Sequence, residues 1–194
     1  MNDDRKRNAR ENYRPGKLGD ARVEKEGKRW KLVFVRELRH PPEKVWRALT
    51  SPAEIREWAP FDADRDLGKT GAAKLSMVGG PEPIVSECSV SVAEPPKLLE
   101  YTWESDVLRW ELAPTDAGTR LTLRHTIADE GYVPKIAAGW HICLDVAERA
   151  LDGEPIGRIV AMEALDFGWE RLNDEYSKRF EIVNTGVPDT IGGS

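Results

Sequence analysis

The sequence predicts an α+β fold: a curved antiparallel sheet wrapped around one long helix, with two short helices after the first strand and an additional helix near the C-terminus. Three observations carry this. From Phe61 to Ile127 apolar and polar residues alternate with period two, the pattern of an antiparallel sheet with one covered and one wet face. Residues 134–151 carry one apolar stripe at helical spacing, and nothing else in the chain is long enough to cover that face. Between the first strand and the sheet, HPPEKVWRALTSPAEIREWAP (40–60) holds two proline-started turns and two tryptophans.

Each element follows in order. Residues 1–28 are polar, rich in both charge signs and broken by Pro15-Gly16 and Gly19. That composition buries little and predicts a mobile arm, with a packing extension as the alternative. WKLVFVREL (30–38) is rich in β-branched and apolar residues, a first strand. Pro41-Pro42 stops it, and Pro42 with Glu43 suits the first turn of a helix to about Leu49, with Val45, Trp46 and Leu49 on one face. Ser51-Pro52-Ala53-Glu54 has capping-box form, so a second short helix carries Ile55 and Trp58 inward.

In the meander that follows, Ile84, Cys88, Val90 and Val92 share one face. So do Leu99, Tyr101 and Trp103, then Leu108, Trp110 and Leu112, then Leu121, Leu123, His125 and Ile127. Turns fall at 113–118 and at Ser105-Asp106, with a longer link at 93–97. Pro134 opens the long helix and Asp152-Gly153 closes it; Ile136, Trp140, Cys143 or Leu144, Ala147 and Leu151 form its stripe. A last helix over about 161–180 has the seam Leu165, Trp169, Leu172, Tyr176 and Phe180, and residues 183–194 read as a loose tail. The expected organisation is an arm (1–28), a domain (29–153) and a C-terminal extension (154–194).

Several function classes are excluded at this level. A formal net charge of −5 argues against general nucleic-acid binding, which needs a basic footprint. No apolar run approaches the roughly 18 residues of a membrane span, and MNDDRKRNAR is no signal peptide. Two cysteines, Cys88 and Cys143, give no disulfide framework, which suits a reduced, cytoplasmic location. ADRDLGKT (63–70) ends like a phosphate loop but begins with Ala63 and lacks the flanking strand and helix. DADRD (62–66) has the acidic spacing of a calcium loop, yet Leu67 replaces the turn glycine and Ala73 the closing glutamate. No two of His40, His125 and His141 have metal-ligand spacing, and no metal or cofactor is expected.

A strongly bent sheet touches a helix poorly along its length, so a cavity between them is expected. Trp46, Trp58, Trp103, Trp110 and Trp140 all fall on predicted inward faces and, with Leu144, are candidate ligand contacts. His125 lies on the apolar side of its strand, either as a satisfied core residue or as a polar contact orienting a ligand. Arg36 is either solvated or a carboxylate anchor reaching inside, and Glu87, which would face water, is a poor acid–base partner for His125. No serine or cysteine has an evident base beside it.

Taken in order, PPEKVWRALTSPAEIREW, EPPKLLEYTW, LRWEL, TRLTLRHTI and GWHICLDVAERALDGEP resemble the START-like (SRPBCC) superfamily. Within it they are similar to bacterial relatives of the activator of the heat-shock protein 90 ATPase, over roughly residues 29–153. GWERLNDEYSKRF (168–180) is similar to the C-terminal helix of such members. The resemblance implies a helix-grip fold with a hydrophobic ligand cavity. It does not choose an activity, because the superfamily spans lipid carriers and polyketide cyclases.

The reading that follows is a binding protein for a small hydrophobic molecule, aromatic or acyl, with no catalytic residue assigned. Its rivals are a cyclase, dehydratase or hydrolase using His125 and cavity water, and a chaperone-associated interaction module. The Leu165–Phe180 seam can pack on its own domain or on a second copy, which would make a homodimer.

Overall fold

Eight strands pair antiparallel throughout in the computed structural model, which describes residues 3–187. They are β1 (Asp20–Glu26), β2 (Arg29–Leu38), β3 (Phe61–Ala63), β4 (Gly71–Met77), β5 (Ile84–Glu94), β6 (Leu98–Trp103), β7 (Asp106–Thr115) and β8 (Gly118–Ile127). Their order in the sheet is β1-β2-β8-β7-β6-β5-β4-β3, so the first hairpin folds back beside the last strand. The helices are α1 (Asp3–Glu11), α2 (Pro42–Thr50), α3 (Pro52–Ile55), α4 (Val133–Leu151) and α5 (Trp169–Phe180). This is the helix-grip arrangement: the curved sheet holds α4, whose Ala137, Ala138, Ile142 and Val146 are wholly buried. Helices α2 and α3 cover one end through Val45, Trp46, Leu49, Ile55 and Trp58.

Four differences from the sequence-based expectations have physical causes. Residues 3–26, expected as an arm that buries little, instead contribute α1 and the edge strand β1, and Tyr13 is 2% exposed. Strand β1 alternates Ala21 and Val23 with charged residues, which suits a sheet edge but hides the strand in a polar composition. Ser51 makes no side-chain cap, so the capping box is absent although Pro52 does start α3.

In β5 a bulge between Val90 and Val92 reverses the alternation: Val90 pairs with inward Tyr101, but Val92 pairs with Glu100. Ile84, at the far end of that strand, is 55% exposed. Finally, the helix expected over 161–180 is two pieces, a 3-10 segment over Ala161–Phe167 and then α5. Gly168 divides them with φ 87, a left-handed conformation that glycine adopts without penalty. Trp169, Leu172 and Tyr176 of the expected seam are buried within the chain, where α5 packs on α4. The tail read from residue 183 lies outside the described residues from 188 onward.

Candidate functional site

A cavity of about 220 Å³ lies between the sheet, the first half of α4 and the segment that follows α4. Strand alternation aims Trp103, His125 and Ile127 into it; helical spacing brings Ile136, Gly139, Trp140 and Cys143 to the same space. Ile159, Ala164 and Trp169 close the outer wall. Glu104, Asp106, Asp129 and Lys135 stand at the rim, so an apolar interior meets a charged mouth. At about 30 Å³ per molecule, the space corresponds to roughly seven waters, small for a ligand pocket but larger than a packing defect.

Gly139 is what leaves part of this room. It sits inside α4, where glycine costs about 1 kcal/mol relative to alanine. A Cβ built there meets nothing within 4 Å. The helix therefore carries an interior glycine without any close packing that would require one.

His125 is the polar centre of the wall and is fully engaged. The Trp140 indole can only donate, and its Nε1 lies 3.0 Å from His125 Nδ1, which must accept. The ring proton is thus on Nε2, which donates to Asp106 Oδ2 at 3.1 Å. Arg29 donates in turn to Asp106 Oδ1 at 2.7 Å. Trp103 stacks on the imidazole with centroids 6.0 Å apart. With both nitrogens occupied, His125 fixes the Trp140 ring against the cavity and presents no free base. Burial pushes the Cys143 thiol up to about 12, so that residue serves as apolar wall rather than nucleophile. Among the described residues no group of three or more His, Cys, Asp or Glu is placed to hold a metal ion.

The predicted site residues divide. Trp103, His125 and Trp140 line the cavity; Trp46, Trp58, Trp110 and Leu144 do not. Trp58 donates to Ala48 O at 2.9 Å and Trp110 to Tyr101 Oη at 3.1 Å, each satisfied in the core. Trp58 and Leu144 border a void of about 10 Å³, room for one water at most. Trp46 is buried beside the loop that carries Gly68.

Glu87 is exposed and pairs with Lys74. Asp106, read only as a turn residue, is the true partner of His125, and Gly139, Ile159 and Trp169 were also missed. Of these, only the helix-interior glycine gave a local signal. The loop resembling a phosphate site closes on itself: Arg65 donates to the carbonyls of Asp66, Lys69, Gly71 and Ala72.

A second buried polar cluster lies on the other side of α4. Arg36 donates to Asp145 Oδ1 at 2.7 Å, and Tyr13 donates to Asp145 Oδ2 at 2.9 Å. His141, 1% exposed, has Nδ1 2.9 Å from Tyr176 Oη, while its Nε2 is buried with no hydrogen bond and stands 3.5 Å from Asp145. Burial lowers its pKa to about 4, against the opposing pull of Asp145. Arg36 is thus a carboxylate anchor, but for its own chain.

Comparison with known proteins agrees with this architecture. Residues 39–152 match the family model described as Activator of Hsp90 ATPase homolog 1-like protein, more than half of the 194 residues. A conserved protein of unknown function from Enterococcus faecalis is 18% identical, with TM-score 0.62 over 82% of this chain and 90% of that one. The solution structure of CalU16 from Micromonospora echinospora is 17% identical, with TM-score 0.63 over 85% and 94%. A protein from Mesorhizobium loti is 29% identical, with TM-score 0.56 over 63% of this chain and 97% of its own. The first two likenesses speak for the fold alone. No curated protein matches the chain. Among the described residues no helix is long and apolar enough to cross a membrane.

Proposed function

The chain belongs to the Activator of Hsp90 ATPase homolog 1-like family, and from that premise we propose that it binds a small, flat, largely apolar molecule in the cavity beside His125. One observation carries the reading: a 220 Å³ space has indole, isoleucine and cysteine walls, whereas the void beside Trp58 and Leu144 measures about 10 Å³. The space communicates with solvent through its charged mouth, so an apolar occupant would gain by displacing water from the indole and isoleucine walls.

The volume also bounds the occupant. A cavity of about 150 Å³ holds benzene, so one or two fused rings, or a short acyl chain, match 220 Å³. Long lipid chains would have to project through the charged mouth. Hydrolase or cyclase chemistry has less support, because the one histidine at the wall spends both nitrogens on Trp140 and Asp106.

The test is a titration of intrinsic tryptophan fluorescence with one-, two- and four-ring aromatics and with fatty acids of graded length. Trp103 and Trp140 report directly on occupancy. Saturable one-to-one binding that peaks at one or two rings supports the reading. Absence of binding across the series, with no molecule retained in native mass spectra of protein from its source cells, refutes it.

A further inference from the structure

We infer that Arg10, which lines no part of the cavity, is the residue that positions the cavity's outer wall and so sets which ligands fit; this rests on the reading of the cavity as a binding site. Residues 155–160 leave α4 without regular structure. Among the described residues the carbonyls of Ile156, Gly157 and Arg158 accept no backbone hydrogen bond. Such groups must find a partner elsewhere. They find one side chain.

Arg10 Nη1 donates to Ile156 O at 3.0 Å and to Gly157 O at 2.8 Å. Its Nη2 donates to Arg158 O at 3.0 Å and to Glu163 Oε1 at 2.5 Å. The same guanidinium lies 5.4 Å from the centre of the Phe167 ring. One planar fork thus gathers three successive carbonyls and a carboxylate, four acceptors where a lysine ammonium has three donors on one atom. The next residues, Ile159, Val160 and Ala161, are cavity wall.

Ala161 is held at φ 52, in the left-handed region that a side chain adopts only when its surroundings impose it. Those surroundings are visible on both flanks. A Cβ at Gly79 would lie 2.7 Å from Ala161 Cβ, so the turn before β5 backs the wall closely. Arg158 Nη1 donates to Asp62 Oδ1 at 2.7 Å, tying the segment to β3. Helix α1, through Arg10, is then a strap across the segment, and the width of the cavity depends on it.

The experiment compares the full chain with Arg10→Ala and Arg10→Lys, using 2-naphthol and 1-hydroxypyrene as probes and hydrogen exchange read by mass spectrometry. Loss of the fork should let the wall give. The preference for 2-naphthol over 1-hydroxypyrene should fall at least tenfold in both variants. Amides of 164–168, hydrogen-bonded in the 3-10 segment that continues the wall, should exchange at least tenfold faster, with those of β6 to β8 unchanged. If Arg10→Ala does not fold, Arg10→Lys decides by the same two readouts. A lower Tm with the preference and the local exchange unchanged would overturn the inference, because a merely stabilising contact behaves that way. Should the wild-type chain bind neither probe, the reading of the cavity as a fused-ring site fails, and the exchange measurement still decides whether Arg10 holds the wall.

Discussion

Lowering the pH should destabilise this fold through His141 in particular. The ring is 1% exposed and faces Asp145 from its own helix, Arg36 from β2, and Tyr176, Arg171 and Glu175 from α5. Burial outweighs the Asp145 carboxylate and leaves its pKa at about 4, against an ordinary 6.5. The sign follows from proton uptake: between those values the unfolded chain binds a proton that the folded one refuses, so stability drops as pH falls through the window.

The full gap is worth on the order of 3 kcal/mol, at 1.36 kcal/mol per pH unit. About 2 kcal/mol of it lies between pH 7 and pH 5. Urea unfolding followed by tryptophan fluorescence at the two pH values measures it, with His141→Gln as the comparison. The variant keeps an acceptor for the Tyr176 hydroxyl but cannot titrate, so it should lose about 2 kcal/mol less than wild type over the interval. Equal losses in the two proteins would refute the reasoning.

Three more outcomes are expected. His125→Ala strands the Trp140 indole N–H and one Asp106 oxygen, and should cost about 2–4 kcal/mol in urea unfolding, with His125→Gln costing less. Trp58→Phe leaves Ala48 O without its donor and should cost about 1–3 kcal/mol. Because Trp58 stands outside the cavity, calorimetric affinity for 2-naphthol should be unchanged in that variant. Gly139→Ala should raise Tm by about 2–4 °C in scanning calorimetry, since it gains about 1 kcal/mol of helix propensity and its methyl meets open space.

What the chain declares about itself depends on the range of the interaction. Period-two alternation placed Leu123, His125 and Ile127 inward, and helical spacing placed Trp140 toward them, because both are local properties of backbone geometry. Which inward residues face a gap rather than a neighbour is a matter of three-dimensional fit. That is why Trp110, 0% exposed and hydrogen-bonded to Tyr101, looked the same in sequence as Trp103. The link from His125 to Asp106 arises across the β7–β8 ladder, and no composition signal announces it.

The β5 bulge and the break at Gly168 each shift a periodic pattern by local means that alternation alone does not reveal. Strand β1 was hidden by its charge, which is also what protects a sheet edge from pairing with another chain.

The most direct measurement is isothermal titration of 2-naphthol into wild-type protein and into Gly139→Leu. The leucine side chain would occupy the space in which a Cβ at this position meets no atom, and it suits a helix. The account predicts one-to-one binding to wild type, and loss of binding in a variant whose Tm is equal or higher. Undiminished binding by Gly139→Leu, or none by wild type, would contradict it.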